Sequence, residues 1–172
     1  MNILLICGES GVGKSTIAYE LSKDDKYSLV RSITDRPQRP QEIDHIFMDK
    51  DLMDHAPVKN IVAYSKIDGY RYCTLFQQFD PEKINIYVVD GPGLKDVHAA
   101  FPKANIASVL IKRNNVYIDA NRKNRTIQIP TEKDVTFVIN NNTTIKNAVG
   151  LIKDVCNSLI FKEGLKCMHC KE

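Results

Sequence analysis

No stretch of the 172 residues approaches the roughly 18 consecutive apolar positions that a membrane-spanning helix requires, so a soluble chain is expected. The first residues pass straight into an apolar strand pattern, without a basic segment or a small-residue cleavage site, and a cytoplasmic setting is expected. Charge of one sign is also lacking. With 24 Lys and Arg against 21 Asp and Glu, the net charge of +3 is too mild to imply a nucleic-acid surface. The basic residues that do cluster, at 31–39 and 112–125, have the local character of phosphate contacts. Cysteines are few and odd in number: Cys7, Cys73, Cys156, Cys167 and Cys170, which argues against a disulfide framework. Cys7 reads as a buried hydrophobe at a strand end. Cys167, His169 and Cys170 offer only a partial zinc set; the other reading of 163–172 is a loosely ordered tail. No internal repeat or low-complexity segment is present.

What remains is the composition of an ordinary globular protein, 43% hydrophobic and 26% charged, of a length that suits a single domain over 1–172. Its most specific segment is Gly8-Glu9-Ser10-Gly11-Val12-Gly13-Lys14-Ser15, a full GxxxxGKS pattern placed directly after the apolar run 3–6. Residues 14–22 carry Ile17, Ala18 and Leu21 at helical spacing. Strand, glycine turn and helix are the context in which this pattern cradles a phosphate. The glycines let the backbone approach closely, the loop N–H groups and helix N-terminus supply partial positive charge, and Lys14 adds a full one. Residues 8–16, through Thr16, are therefore the expected nucleotide cradle, with Ser15 toward Mg²⁺.

Apolar segments at 3–6, 27–30, 84–89, 106–111 and 135–139 read as strands with helical patterns between and after them. Because these strands are apolar throughout rather than at every second residue, they predict a parallel sheet covered by helices on both faces, an α/β fold. Ligands in such folds collect at the carboxyl ends of the strands. Residues 44–76 differ: short strands at 45–48, 61–67 and 70–75, with Asp68-Gly69 as a hairpin turn, predict a small antiparallel lobe, bounded overall at 32–80. A last helix over about 143–161 carries Ile145, Val149, Ile152, Val155 and Leu159 toward the core.

After the second strand comes Ser32-Ile33-Thr34-Asp35-Arg36-Pro37-Gln38-Arg39-Pro40-Gln41-Glu42, then Asp44 and Phe47. Two arginines preceded by hydroxyls suit an anion, since the guanidinium fork matches phosphate oxygens; a solvated polar loop is the alternative. Set after the glycine turn, this segment resembles the SxTTRxxRxxE signature of guanylate kinases. The resemblance continues at Tyr70-Arg71-Tyr72-Cys73-Thr74, similar to the family's YG(S/T) step, and at Asp90-Gly91-Pro92-Gly93, similar to its DxxG. It implies an ATP- and Mg²⁺-dependent kinase acting on a nucleoside monophosphate; no nucleic-acid or membrane partner is expected, and the chain is expected as a monomer or homodimer. It further implies that Arg36, Arg39 and Tyr72 hold the acceptor phosphate, that Ser32 and Thr74 lie near its base, and that Asp90 sits beside the metal.

The sequence departs from that pattern in places. Ala63 stands where the family has an acidic residue reading guanine, His45 where it has an aromatic hydroxyl, and Val88 where a second carboxylate precedes Asp90. The lid, 113–133, is short; Arg122 and Arg125 would clamp donor phosphates from it, or form a solvated basic turn. Three rivals follow: a kinase of another acceptor such as a sugar phosphate, a catalytically weak nucleotide-binding module, and a GTPase switch. The last is disfavoured, because the NKxD-like Ser65-Lys66-Ile67-Asp68 precedes the DxxG motif rather than following it.

Overall fold

The first apolar run forms β1 (Asn2–Gly8), and its alternate residues diverge into two cores. Leu4 and Ile6 face one side of the sheet; Ile3, Leu5 and Cys7 face the other, all fully buried. A strand apolar on both faces has to lie inside a covered sheet. It does so between β7 (Ile84–Val88) and β8 (Asn105–Lys112), pairing in parallel with each. β2 (Tyr27–Val30) extends the sheet beyond β7 and β9 (Phe137–Asn140) extends it beyond β8, in the order β2-β7-β1-β8-β9, every pair parallel. The computed structural model describes residues 1–39, 42–55, 60–114, 116 and 127–167, side chains up to 158.

α1 (Lys14–Ser22) and α4 (Ile145–Cys167) cover one face, through Ile17, Ala18, Leu21, Ala148, Ile152 and Cys156. α3 (Gly91–Ala100) covers the other with Leu94 and Val97. Each Val, Leu or Ile side chain among these, taken from water, contributes about 1.5–3 kcal/mol before ordering entropy is subtracted. The expected α/β architecture is thus present. Among the described residues, no helix is long and apolar enough to cross a membrane.

A second sheet, of order β4-β3-β6-β5, comprises β3 (Ser32–Thr34), β4 (His45–Phe47), β5 (Ile61–Ile67) and β6 (Tyr70–Leu75). It is antiparallel along β3-β6-β5, with β4 added in parallel on the edge of β3. The hairpin turn falls at Asp68 and Gly69, both at positive φ, which places the NKxD-like residues in β5 and its turn. A short helix, α2 (Lys50–Asp54), follows β4.

Three boundaries differ from expectation. β9 starts at Phe137 because the preceding residues form a 3-10 turn (Glu132–Asp134), in which Thr131 donates from N and Oγ1 to Asp134 Oδ2 at 2.8 and 2.6 Å. Ser32–Thr34, read as part of a polar loop, is a strand whose hydroxyl-bearing residues are buried. α4 runs beyond the expected end near 161, through Gly164 to Cys167; a helical glycine costs only about 1 kcal/mol relative to Ala. His169 and Cys170 of the proposed zinc set lie outside the described residues, as do Arg122, Arg125, Pro40 and Gln41.

Candidate functional site

Because β1 ends at the centre of the sheet, the glycine turn that follows it opens at the switch point where neighbouring strands run to opposite sides. Gly8, Gly11 and Gly13 have φ of 143°, 85° and 100°, conformations that L side chains rarely adopt. At Gly13, the N-cap of α1, a Cβ would also come within 2.8 Å of Asn141 Nδ2. Asn141 is buried and donates from Nδ2 to Val12 O at 2.8 Å, bracing the turn from behind. Lys14 Nζ donates to Gly8 O at 2.8 Å and Glu9 O at 2.6 Å, which holds the ammonium over the turn.

The turn forms one wall of a cleft of about 680 Å³ lined by Gly8, Ser10, Gly11, Gly13, Lys14, Ser15 and Thr16. The second sheet forms the facing wall, and its register explains which residues reach the cleft. Ser32 pairs with His45, Thr34 with both Phe47 and Tyr72, Ser65 with Tyr72 and Ala63 with Thr74. Directly paired residues share a face, so the polar side chains of four strands separated in sequence gather on one side of this sheet.

Arg36, two residues beyond β3, is only 6% exposed, and each of its guanidinium nitrogens has a partner. Its Nε donates to Tyr72 Oη at 2.9 Å, its Nη1 to Pro37 O at 2.9 Å and its Nη2 to Glu42 Oε1 at 2.7 Å, while the guanidinium lies over the Phe47 ring. Burial opposes the charge, but the Glu42 carboxylate and the Tyr72 hydroxyl outweigh it and hold the pKa above its ordinary value. Arg39 also lines the cleft, and its backbone N donates to Glu42 Oε2 at 3.2 Å. Glu42 therefore organises both arginines of the motif.

At the base of the cleft, Thr74 Oγ1 donates to Tyr87 Oη at 2.6 Å, and Ser32 Oγ lies 3.3 Å from the same phenol oxygen. Burial raises the Tyr87 pKa, so the phenol stays protonated and can donate. Asp90 lines the cleft beside the turn and caps α3, accepting from Gly93 N at 2.8 Å. Cys7 lies behind the turn, and burial pushes its thiol up to about 12; it is inert packing, as expected from its strand position.

Most of the residues singled out from sequence thus share one cleft, including Ser32, Arg36, Arg39, His45, Ala63, Tyr72 and Asp90. Three stand apart. Val12 is buried in the core and Glu9 contributes its carbonyl. Thr74 is fully buried and reaches the cleft only through Tyr87. Sequence reasoning gave no role to Tyr87 or Asp44, and it placed Asn140–Asn142 where the resembled family's adenine-side loop begins, or as an ordinary Asn-rich turn, rather than behind the glycine turn. Tyr87 was hidden in a largely apolar run, where its ring reads as core. Asp44 Oδ2 accepts a hydrogen bond from Ser15 Oγ, across the cleft from the second sheet to the glycine turn. The ligand atoms of Glu42, Asp44 and His45 lie within 4.8 Å of one another.

No protein-family model matches the chain. A guanylate kinase of Bartonella henselae is 24% identical over 117 residues, 63% of this chain and 53% of that protein. A guanylate kinase of Zymomonas mobilis is 39% identical over 66 residues, 38% of this chain and 30% of that protein. The chain therefore spans about half the length, or less, of these curated relatives. The crystal structure of guanylate kinase from Anaplasma phagocytophilum matches with a TM-score of 0.63 over 91% of this chain and 85% of that one, at 16% identity. The fold is guanylate kinase-like.

Proposed function

We propose that this guanylate kinase-like chain transfers the terminal phosphoryl group of ATP to a nucleoside monophosphate. The observation that carries the proposal is the cleft itself, with the glycine turn on one wall and Arg36, Arg39 and Tyr72 on the other. Phosphoryl transfer asks little covalent chemistry of a protein; it needs two phosphates held in line and the developing charge neutralised. Here the turn and Lys14 would hold the donor phosphates. Arg36 would hold the acceptor phosphate, its fork fixed in place by Glu42 and Tyr72. An oxygen of the acceptor phosphate attacks the γ-phosphorus as the bond to the ADP oxygen breaks, so no nucleophilic side chain is required.

Ser15 and Asp90 present oxygen donors to the cleft beside the turn, a donor set that suits Mg²⁺, and they would hold it. When bound it neutralises charge on the transferring phosphates. The acceptor base is not set by a carboxylate at Ala63; Ser65, two residues along the same strand face, and the hydroxyls of Ser32 and Tyr87 are polar groups that line the same cleft.

ADP formation from ATP, screened against each ribo- and deoxynucleoside monophosphate and several sugar phosphates, tests the proposal. One monophosphate should stand well above background. Lys14→Ala and Arg36→Ala should each lower turnover of that acceptor by about tenfold or more. A sugar phosphate as the preferred acceptor would replace the nucleotide assignment, and no acceptor at all would leave a nucleotide-binding module.

A further inference from the structure

We infer that Asp44 is a metal-facing carboxylate, which joins Ser15 in holding the divalent cation of the bound nucleotide and so ties the second sheet to occupancy of the glycine turn. This rests on the nucleotide-binding reading above and adds a residue to that site. In a GxxxxGKS loop the Ser hydroxyl is the group that faces the cation. Here that hydroxyl donates to Asp44 Oδ2, from a residue 29 positions away in the chain. Hydroxyl and carboxylate therefore already meet at the place where a cation would take oxygen donors from both. A Ser hydroxyl that donates keeps its lone pairs, and a carboxylate accepting one hydrogen bond keeps most of its own.

Of its neighbours, Glu42 is committed elsewhere, accepting from Arg36 Nη2 with one oxygen and from Arg39 N with the other. Asp90 caps α3 through Oδ1 and has its second oxygen for the cation, while Val88, two residues earlier, brings no second carboxylate. Among the described lining residues, Asp44 is the acid that touches the hydroxyl of the turn. It immediately precedes β4, whose His45 pairs with Ser32 and whose Phe47 lies under Arg36. A cation drawn between Ser15 and Asp44 would thus set the acceptor-side wall against the donor-side wall, and both halves of the cleft would respond to metal loading.

The test measures ADP affinity by titration calorimetry in Mg²⁺ and in EDTA, for wild type, Asp44→Asn and Asp44→Glu. Asn keeps a hydrogen-bond acceptor for Ser15 and removes the charge. Wild type should bind ADP more tightly with Mg²⁺. In Asp44→Asn that enhancement should fall by roughly tenfold while affinity in EDTA is unchanged, and Asp44→Glu should recover part of it. An undiminished enhancement in Asp44→Asn overturns the inference, and so does an equal loss in Mg²⁺ and EDTA, which would mark a purely structural contact. Fe²⁺ in place of Mg²⁺, with ADP, ascorbate and peroxide, gives a readout on the unaltered protein. Chain scission near both Ser15 and Asp44 supports the inference, and scission near Ser15 and Asp90 alone overturns it. Absence of ADP binding by wild type in either medium would instead defeat the nucleotide-binding reading.

Discussion

Gly13 is glycine for two separate reasons, its φ of 100° and the 2.8 Å that would separate a Cβ from Asn141 Nδ2. Alanine there would have to distort the turn or displace the side chain that braces it, a strain of about 1–3 kcal/mol. Gly13→Ala should weaken ATP binding by roughly 5- to 150-fold if that strain falls on the bound conformation, measured by calorimetry. Unchanged affinity would show that the turn does not grip phosphate. Tyr72 tests the opposite wall. Removing its hydroxyl takes the 2.9 Å partner from Arg36 Nε, a charged hydrogen bond in a buried setting. Tyr72→Phe should raise KM for the acceptor by about tenfold while leaving KM for ATP unchanged. Equal effects on both would place Tyr72 outside the acceptor side.

Among the elements, the second sheet depends on a polar clamp that its sequence does not advertise. Asp35 accepts from Arg71 N at 2.8 Å and from Arg71 Nε at 2.6 Å, and Arg71 reaches on to Asp54 and to Lys50 O in α2. Burial raises the Asp35 pKa, but the bonds and charge of Arg71 outweigh it and hold the carboxyl below its ordinary value. A carboxyl with a lowered folded-state pKa lends stability that is fully present above its unfolded value, near 3.9, and is lost as pH falls through the lower folded value. Asp35→Asn should therefore cost about 1.5–3 kcal/mol at neutral pH. The gap from wild type should shrink as pH drops below about 4, read by denaturant unfolding at each pH. A gap independent of pH would rule out the charged pair as its source.

At the scale of the molecule, ligand binding should appear as stability, because a cleft built from two sheets exists only in the folded chain. ATP with Mg²⁺ at about a hundred times its Kd adds about 2.7 kcal/mol, a rise in Tm on the order of 5–10 °C for a chain of this size. Lys14→Ala should abolish most of that rise in a thermal shift measurement. The glycine turn, α1 and the doubly covered sheet were readable along the chain because each is recorded locally, in residue types and in apolar spacing. Strand 32–34 escaped notice because Ser32 and Thr34 look like loop residues until their partners in β4 and β6 are known. Asp44 escaped because nothing near it in sequence indicates Ser15. The amino-acid order alone therefore determined a GxxxxGKS turn at the end of a buried strand, since that feature needs only contiguous residues. Tertiary structure alone decided that Arg36 Nε would donate directly to Tyr72 Oη, 36 residues away, and that Asp44 would touch the turn. Those contacts depend on the register of strands distant in the chain, and no local pattern encodes it.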